Sequence, residues 1–204
     1  MEKLLTPLKQ SKFMKLMVIY TRYLLGYAFI HGSIPKIMNE RFTSIPIDNP
    51  VGFFFEGMYQ SGYYWQFLGW AQLVSGLLLV FQRFSALGAI VYFPIILNIF
   101  IITAALHFTG TPYITGLMLF GTLCLLIWDY DKLKHLLFPD TKSFSVSYEP
   151  DSFMVKPVWV YLGIAMIVME IFEVFVFKNF LLIFLNFGLL GLVGLYYLIK
   201  KEKP

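Results

Sequence analysis

A chain of 204 residues with 58% hydrophobic and only 14% charged residues departs far from soluble domains, which run about 45–50% apolar and 25% charged. At 23.7 kDa and a mean hydropathy of +0.71, the interior is too small to hide that much apolar surface, so part of it faces something other than water, by default a bilayer. The single cysteine, Cys124, excludes an intrachain disulfide, a CxxC redox pair and a cysteine-rich metal site.

A bilayer core takes about 20 apolar residues of helix, and six runs of that kind follow one another. They are Met14–His31, Tyr63–Gln82, Phe84–His107, Pro112–Trp128, Pro157–Phe177 and Phe180–Ile199. The first is no cleaved signal, because Arg22 interrupts its apolar run and no small-residue cleavage site follows. The expected fold is all-α, a polytopic membrane helical bundle of six transmembrane helices. Residues 1–13 form a cytoplasmic segment, 14–128 a four-helix core with an outer loop at 33–62, 129–156 a cytoplasmic loop, and 157–204 a two-helix hairpin with a basic tail. In the outer loop, Asn49 as N-cap and Pro50 at the first helical position predict a short helix with Phe53, Phe54 and Met58 at the interface. In the inner loop, Asp129–Phe138 reads as a short amphipathic helix.

Lys and Arg set the orientation, since cytoplasmic loops keep positive charge. One face collects Lys3, Lys9, Lys12, Lys15, Arg83, Lys132, Lys134, Lys142, Lys156, Lys200, Lys201 and Lys203. The other has Lys36, Arg41 and Lys178. Both termini are therefore expected in the cytoplasm. The net charge of +4 and pI near 9.0 follow from this asymmetry and argue no nucleic-acid partner. Tyr59, Tyr63, Tyr64 and Trp65 suit the outer headgroup belt, Trp128, Tyr130, Tyr196 and Tyr197 the inner one.

Polar groups inside an apolar layer are expensive and therefore informative. Counted at about 1.5 Å per helical residue, Gln72, Asn98, Glu170 and Asn186 lie at similar depth below the outer surface, with Arg22 nearer the middle. Together they are candidates for one polar layer. A guanidinium at that depth costs about 2.5–3.5 kcal/mol, so Arg22 should turn inward and find an acceptor. Glu170 has the right sign, and Glu173 extends the same helical face. Two readings stand for these residues, a packing pair or a ligand site. His31, Lys36 and His107 sit at the outer mouth. A two-histidine haem or metal pair is conceivable from their positions, but no Glu-x-x-His or His-x-x-x-His spacing supports a metal, and capping of helix ends at the interface is the commoner role. Gly26, Gly32, Gly188, Gly191 and Gly194 read as close helix-packing positions, and Pro94 as a kink shaping a cavity near Asn98.

The stretch Arg22-Tyr23-Leu24-Leu25-Gly26-Tyr27-Ala28-Phe29-Ile30-His31-Gly32-Ser33-Ile34-Pro35-Lys36 resembles the opening of the DoxX-like membrane-protein family. So does Gln72-Leu73-Val74-Ser75-Gly76-Leu77-Leu78-Leu79-Val80 with Arg83-Phe84-Ser85-Ala86-Leu87-Gly88. The likeness covers about residues 16–130. It implies a four-helix bundle in the bacterial inner membrane, some members being small subunits of quinone-linked oxidoreductases such as thiosulfate:quinone oxidoreductase. Two departures stand out. Gln72 occupies a place where an acidic residue is common, and spans five and six are additional, with Glu170 positioned to restore the missing charge.

The resemblance implies a membrane subunit associated with a quinone-linked oxidoreductase, and on that reading Arg22, Gln72, Asn98 and Glu170 are the candidates to hold a quinone-like head group or conduct a proton in the outer half of the bundle. Glu173 and Asn186 flank them. Flavin, haem or Fe–S would come from a partner, since Cys124 alone ligates none of these. The alternative is a non-enzymatic membrane protein for lipid or small-molecule binding, transport or complex assembly, its polar layer purely structural. Catalysis by this chain alone has no support: neither a Gly-x-Ser-x-Gly elbow nor a phosphate-cradling glycine loop is present.

Overall fold

The structure, a computed structural model, describes residues 2–137, 151–174 and 181–200. Among these every regular element is helical: α1 (Glu2–Gln10), α2 (Lys12–Ile37), α3 (Pro50–Gln60), α4 (Tyr63–Val80), α5 (Ser85–Ala105), α6 (Thr111–Trp128), α7 (Tyr130–Leu137), α8 (Pro157–Phe172) and α9 (Leu181–Ile199). Three of them, α2, α5 and α6, are long and apolar enough to cross a membrane; α8 and residues 187–199 of α9 are apolar but shorter. The predicted end of span five at Phe177, the start of span six at Phe180, Lys142, Lys178 and the tail beyond Lys200 lie outside the described residues.

The central element is α2, which is buried on two sides. One side carries Leu16, Ile19, Tyr23, Tyr27 and Ile30 against Trp159, Leu162 and Met166 of α8 and Leu190 of α9. The other carries Leu25 and Phe29 against Leu79 of α4, Ala89, Tyr92 and Ile96 of α5 and Leu125 of α6. Phe29 stacks on Tyr92 at 3.6 Å between ring centres, and the Tyr92 hydroxyl donates to the Leu25 carbonyl at 3.1 Å. By contrast, Phe67, Trp70 and Val74 of α4, Leu117 and Phe120 of α6 and Leu192 and Leu195 of α9 are exposed. Large apolar side chains on outward faces of several adjacent helices are what a lipid-facing surface requires.

The first span is longer than its sequence suggests. An outer loop beginning at residue 33 is expected, yet α2 continues to Ile37 through Gly32 and Pro35. Tertiary packing carries it: Ser33 and Lys36 are buried, and the backbone of Gly69 on α4 lies against Lys36 and Ile37. The helix then closes with Asn39 left-handed at φ 56°, where Asn39 N–H reaches the Lys36 carbonyl and Glu40 N–H the Pro35 carbonyl. This pair of bonds is the Schellman closure. The predicted Asn49 cap is present, its side chain accepting from Val51 N–H at 2.9 Å. Trp65 Nε1 donates to the Glu40 carbonyl at 3.0 Å, fastening the connection to α4.

The α3 collar is held by a forked pair, Arg41 Nε to Glu56 Oε2 at 2.8 Å and Arg41 Nη2 to Oε1 at 3.0 Å. The Arg41 guanidinium, with Gln60 adding a second bond, holds the Glu56 carboxyl below its ordinary range. A carboxyl lowered in the folded state contributes stability above its unfolded value near 4.3 and loses it as pH falls through the folded value. Amide exchange in α3, corrected for intrinsic rates, is therefore expected to accelerate below about pH 4. Glu56→Gln should show the faster exchange already at pH 7 and abolish the pH dependence.

Candidate functional site

Two buried polar clusters occupy opposite ends of α2. At the end that the charge bias predicts to be inner, Arg22 Nη2 pairs with Asp129 Oδ2 at 2.9 Å and Nη1 donates to Gln82 Oε1 at 3.2 Å. Lys132 Nζ completes the group, 2.7 Å from Asp129 Oδ1. Asp129 is the C-cap of α6, a position where the helix dipole disfavours negative charge, so two cations from other elements offset both the dipole and the burial. Gln82 follows α4 in the left-handed region at φ 59°. Glycine is the usual residue at such a helix end; here the position instead supplies a side chain to Arg22.

This corrects the expected Arg22–Glu170 pair. Counting along its own helix puts Arg22 near mid-depth, but the ten residues of α2 that precede it, about 15 Å of helix, extend beyond the ends of α4 and α6 nearest Arg22. There Lys15 pairs with Asp151 at 2.6 Å and Lys9 of α1 with Asp131 at 2.6 Å. Arg22 is thus level with the α4–α5 turn and the end of α6.

The second cluster, at the end predicted to be outer, lies nine residues along α2, about 14 Å away. Glu170 of α8 is 1% exposed. His31 Nδ1 is 2.7 Å from its Oε1, while its Oε2 has no hydrogen-bond partner. Tyr27 OH donates to Glu173 Oε2 at 3.3 Å, and the Tyr27 ring stacks against His31 with centres 6.1 Å apart. Tyr27 and His31 meet because they are four residues apart on one helical face, as Glu170 and Glu173 are three apart on another. The His31 side chain is half exposed, so one end of the cluster is open and the other sealed. Two buried carboxylates at the C-terminal end of α8 run against its dipole, an arrangement that packing alone does not favour.

The remaining expected members divide. Gln72 is buried, with Oε1 lacking a partner, but it bonds neither Arg22 nor Glu170. Asn98 is exposed on α5, and Pro94 is exposed on the same helix, which continues unbroken; both look outward, so neither belongs to a polar layer or shapes a cavity in the bundle. Asn186 lies in α9, but its side chain is outside the described residues. Lys36 donates to the Gly32 carbonyl at 2.5 Å and sits over the rings of Phe42 and Trp65, 4.4 and 5.2 Å from their centres. His107 is an exposed left-handed closure of α5. The single polar layer is therefore replaced by two clusters. Tyr27, Gln82, Asp129 and Lys132 are the members that residue-by-residue reasoning missed; only the Tyr27–His31 spacing carried a signal.

Among the described residues no group of three His, Cys, Asp or Glu side chains is arranged to hold a metal, and Cys124 is exposed.

Fold and surface define an all-helical protein of the membrane type, with three helices long and apolar enough to cross a bilayer and a polar cluster at each end of its central helix. Compared with known proteins, the chain matches no family model, no curated protein and no solved structure, so its function is argued from these clusters.

Proposed function

We propose that the protein is a six-span subunit of the bacterial inner membrane, both termini cytoplasmic, that serves a quinone-linked oxidoreductase by holding a quinone-like head group and handling its proton at the outer cluster. The DoxX-like resemblance of residues 16–130 supplies the class, and one observation carries the site: a fully buried carboxylate with one oxygen anchored by a half-exposed histidine and the other without a partner. Leaving such an oxygen unpaired costs about 1–3 kcal/mol or more, a cost that a hydrogen-bond donor brought by a ligand removes.

A quinone, when bound, supplies two-electron, two-proton redox chemistry, and the electrons pass to or from a partner carrying flavin, haem or Fe–S. This chain's residues do the rest. Glu170 Oε2 accepts a hydrogen bond from a hydroxyl of the reduced, quinol form of the head group, or takes up its proton. His31 Nδ1 fixes the carboxylate, and its exposed ring offers that proton a way to the outer surface. Tyr27 and Glu173, joined by their own hydrogen bond, lie beside this pair.

Solvent extraction of the purified protein, read by quinone absorbance, tests the reading. Wild type should carry quinone, and Glu170→Gln, which keeps the shape but cannot accept a proton as a carboxylate does, should carry at least tenfold less. Phospholipid alone in the wild-type extract sinks the proposal and favours a non-enzymatic membrane protein for lipid binding, transport or complex assembly. The Arg22–Asp129–Lys132 group, whose two ion pairs tie α2 and α7 to the end of α6, is the observation on that side.

A further inference from the structure

Among the described residues, the inner end of the bundle holds a cavity of about 1040 Å³, at the upper end of the size range of small-molecule sites. It opens between α1, the α4–α5 turn, the α6–α7 junction and the start of α8. Two of its lining side chains, Arg22 at 2% and Gln82 at 7% exposure, keep unsatisfied donors: Arg22 Nε and Gln82 Nε2 are buried with no hydrogen-bond partner. Buried N–H groups in a polar cavity need an acceptor. Asp129 does not supply it: its Oδ2 is bonded to Arg22 Nη2 and its Oδ1 to Lys132 Nζ, and neither Arg22 Nε nor Gln82 Nε2 bonds to it.

The charge and shape of the lining narrow the ligand. Five basic side chains face three carboxylates there, a surplus of two positive charges, with Arg83 exposed at the rim. The remaining wall is apolar, and Phe84, Leu87, Val155 and Tyr161 on it are each more than half exposed. Exposed apolar side chains leading away from a pocket of donors match a head group rich in acceptors joined to a hydrocarbon chain. Guanidinium and amide N–H groups suit phosphate oxygens in particular.

From this geometry we infer a second binding site, independent of the outer cluster, in which Arg22 and Gln82 hold the phosphate of an anionic amphiphile at the inner surface while its acyl chains lie against Phe84, Leu87 and Tyr161. Free phosphate would use the donors and leave the apolar wall bare. A neutral diacylglycerol would use the wall and leave the donors bare.

Calorimetric titration of the full chain in detergent tests it with three probes: dihexanoyl phosphatidic acid, dihexanoyl glycerol and inorganic phosphate. Phosphatidic acid should bind saturably, at least tenfold more tightly than either other probe. Gln82→Gly should weaken it at least tenfold. This variant folds, since glycine adopts φ near +60° without strain and the Arg22–Asp129 pair remains. Arg83→Ala, at an exposed turn, should weaken it severalfold. Non-specific uptake by the micelle is the same for wild type and variants and drops out of the comparison. Equal binding of inorganic phosphate overturns the amphiphile, equal binding of dihexanoyl glycerol overturns the phosphate, and an unchanged affinity in Gln82→Gly overturns the site.

Discussion

Arg22→Ala is expected to cost about 3–5 kcal/mol, because it strands a buried aspartate rather than merely deleting a hydrogen bond. Asp129 is only 3% exposed and loses its 2.9 Å partner, keeping Lys132 alone beside a helix C-terminus that already repels it. Gln82 loses its partner in the same step. Interhelical hydrogen bonds in membrane proteins are usually worth well under 2 kcal/mol, so a loss of this size separates an uncompensated charge from an ordinary polar contact. Reversible unfolding in mixed detergent is the measurement. The double variant Arg22→Met with Asp129→Leu removes both charges and should recover most of the loss, since buried pairs replaced by apolar side chains are often neutral or better. If Arg22→Ala unfolds within 1 kcal/mol of wild type, the inner group is not a coupled unit.

That pair also shows where the sequence was legible. Composition and run length identify helices in an apolar solvent, and each of the six apolar runs carries a helix where residues are described, because hydrophobic runs and their Gly, Pro and Asn boundaries are local features. The end of α2 escaped the same reasoning. Gly32 and Pro35 look like a stop, and only the burial of Ser33 and Lys36 against α4 keeps the helix going. Six crossings, from run length, and cytoplasmic termini, from charge bias, belong to the proposal.

The polar sites were legible as residue types and not as partners. Arg22 and Glu170 each demand an acceptor or donor by their chemistry, and both are buried as that demand requires. Pairing them assumed that every helix begins at one level. The stagger of α2 past α4 and α6 is a tertiary quantity that no run length encodes, and it moves Arg22 to Asp129, a residue that looks like ordinary loop polarity after Trp128. Glu170 then falls to His31 and Glu173 to Tyr27. Asn98 failed for a simpler reason: a short amide on a helix with Pro94 on the same outward side has no obligation to face the bundle.

The glycines follow the same logic and give the second large effect. Gly26 and Gly76 face each other where α2 crosses α4: a Cβ on Gly76 would lie 2.8 Å from the Gly26 carbonyl oxygen, and one on Gly26 would lie 2.6 Å from Val80 Cγ2 and 2.8 Å from the Gly76 carbonyl. Backbone cannot yield as a side-chain tip can, so the helices must separate, and both core clusters lie along that crossing. Gly76→Ala is expected to cost about 1–3 kcal/mol through overpacking, and Gly76→Leu to abolish recovery of folded protein. Gly26→Ala combined with Val80→Ala should regain only part of the loss, since the carbonyl contact persists when the valine methyl has gone. Gly32→Ala supplies the opposite sign. Its Cβ meets nothing within 4 Å, so the helix gains alanine's propensity, about 0.5–1 kcal/mol over glycine. Thermal unfolding midpoints in detergent read the alanine variants, and the yield of folded protein reads Gly76→Leu. A Gly76→Ala midpoint at or above that of Gly32→Ala would mean that α2 and α4 are not in backbone contact.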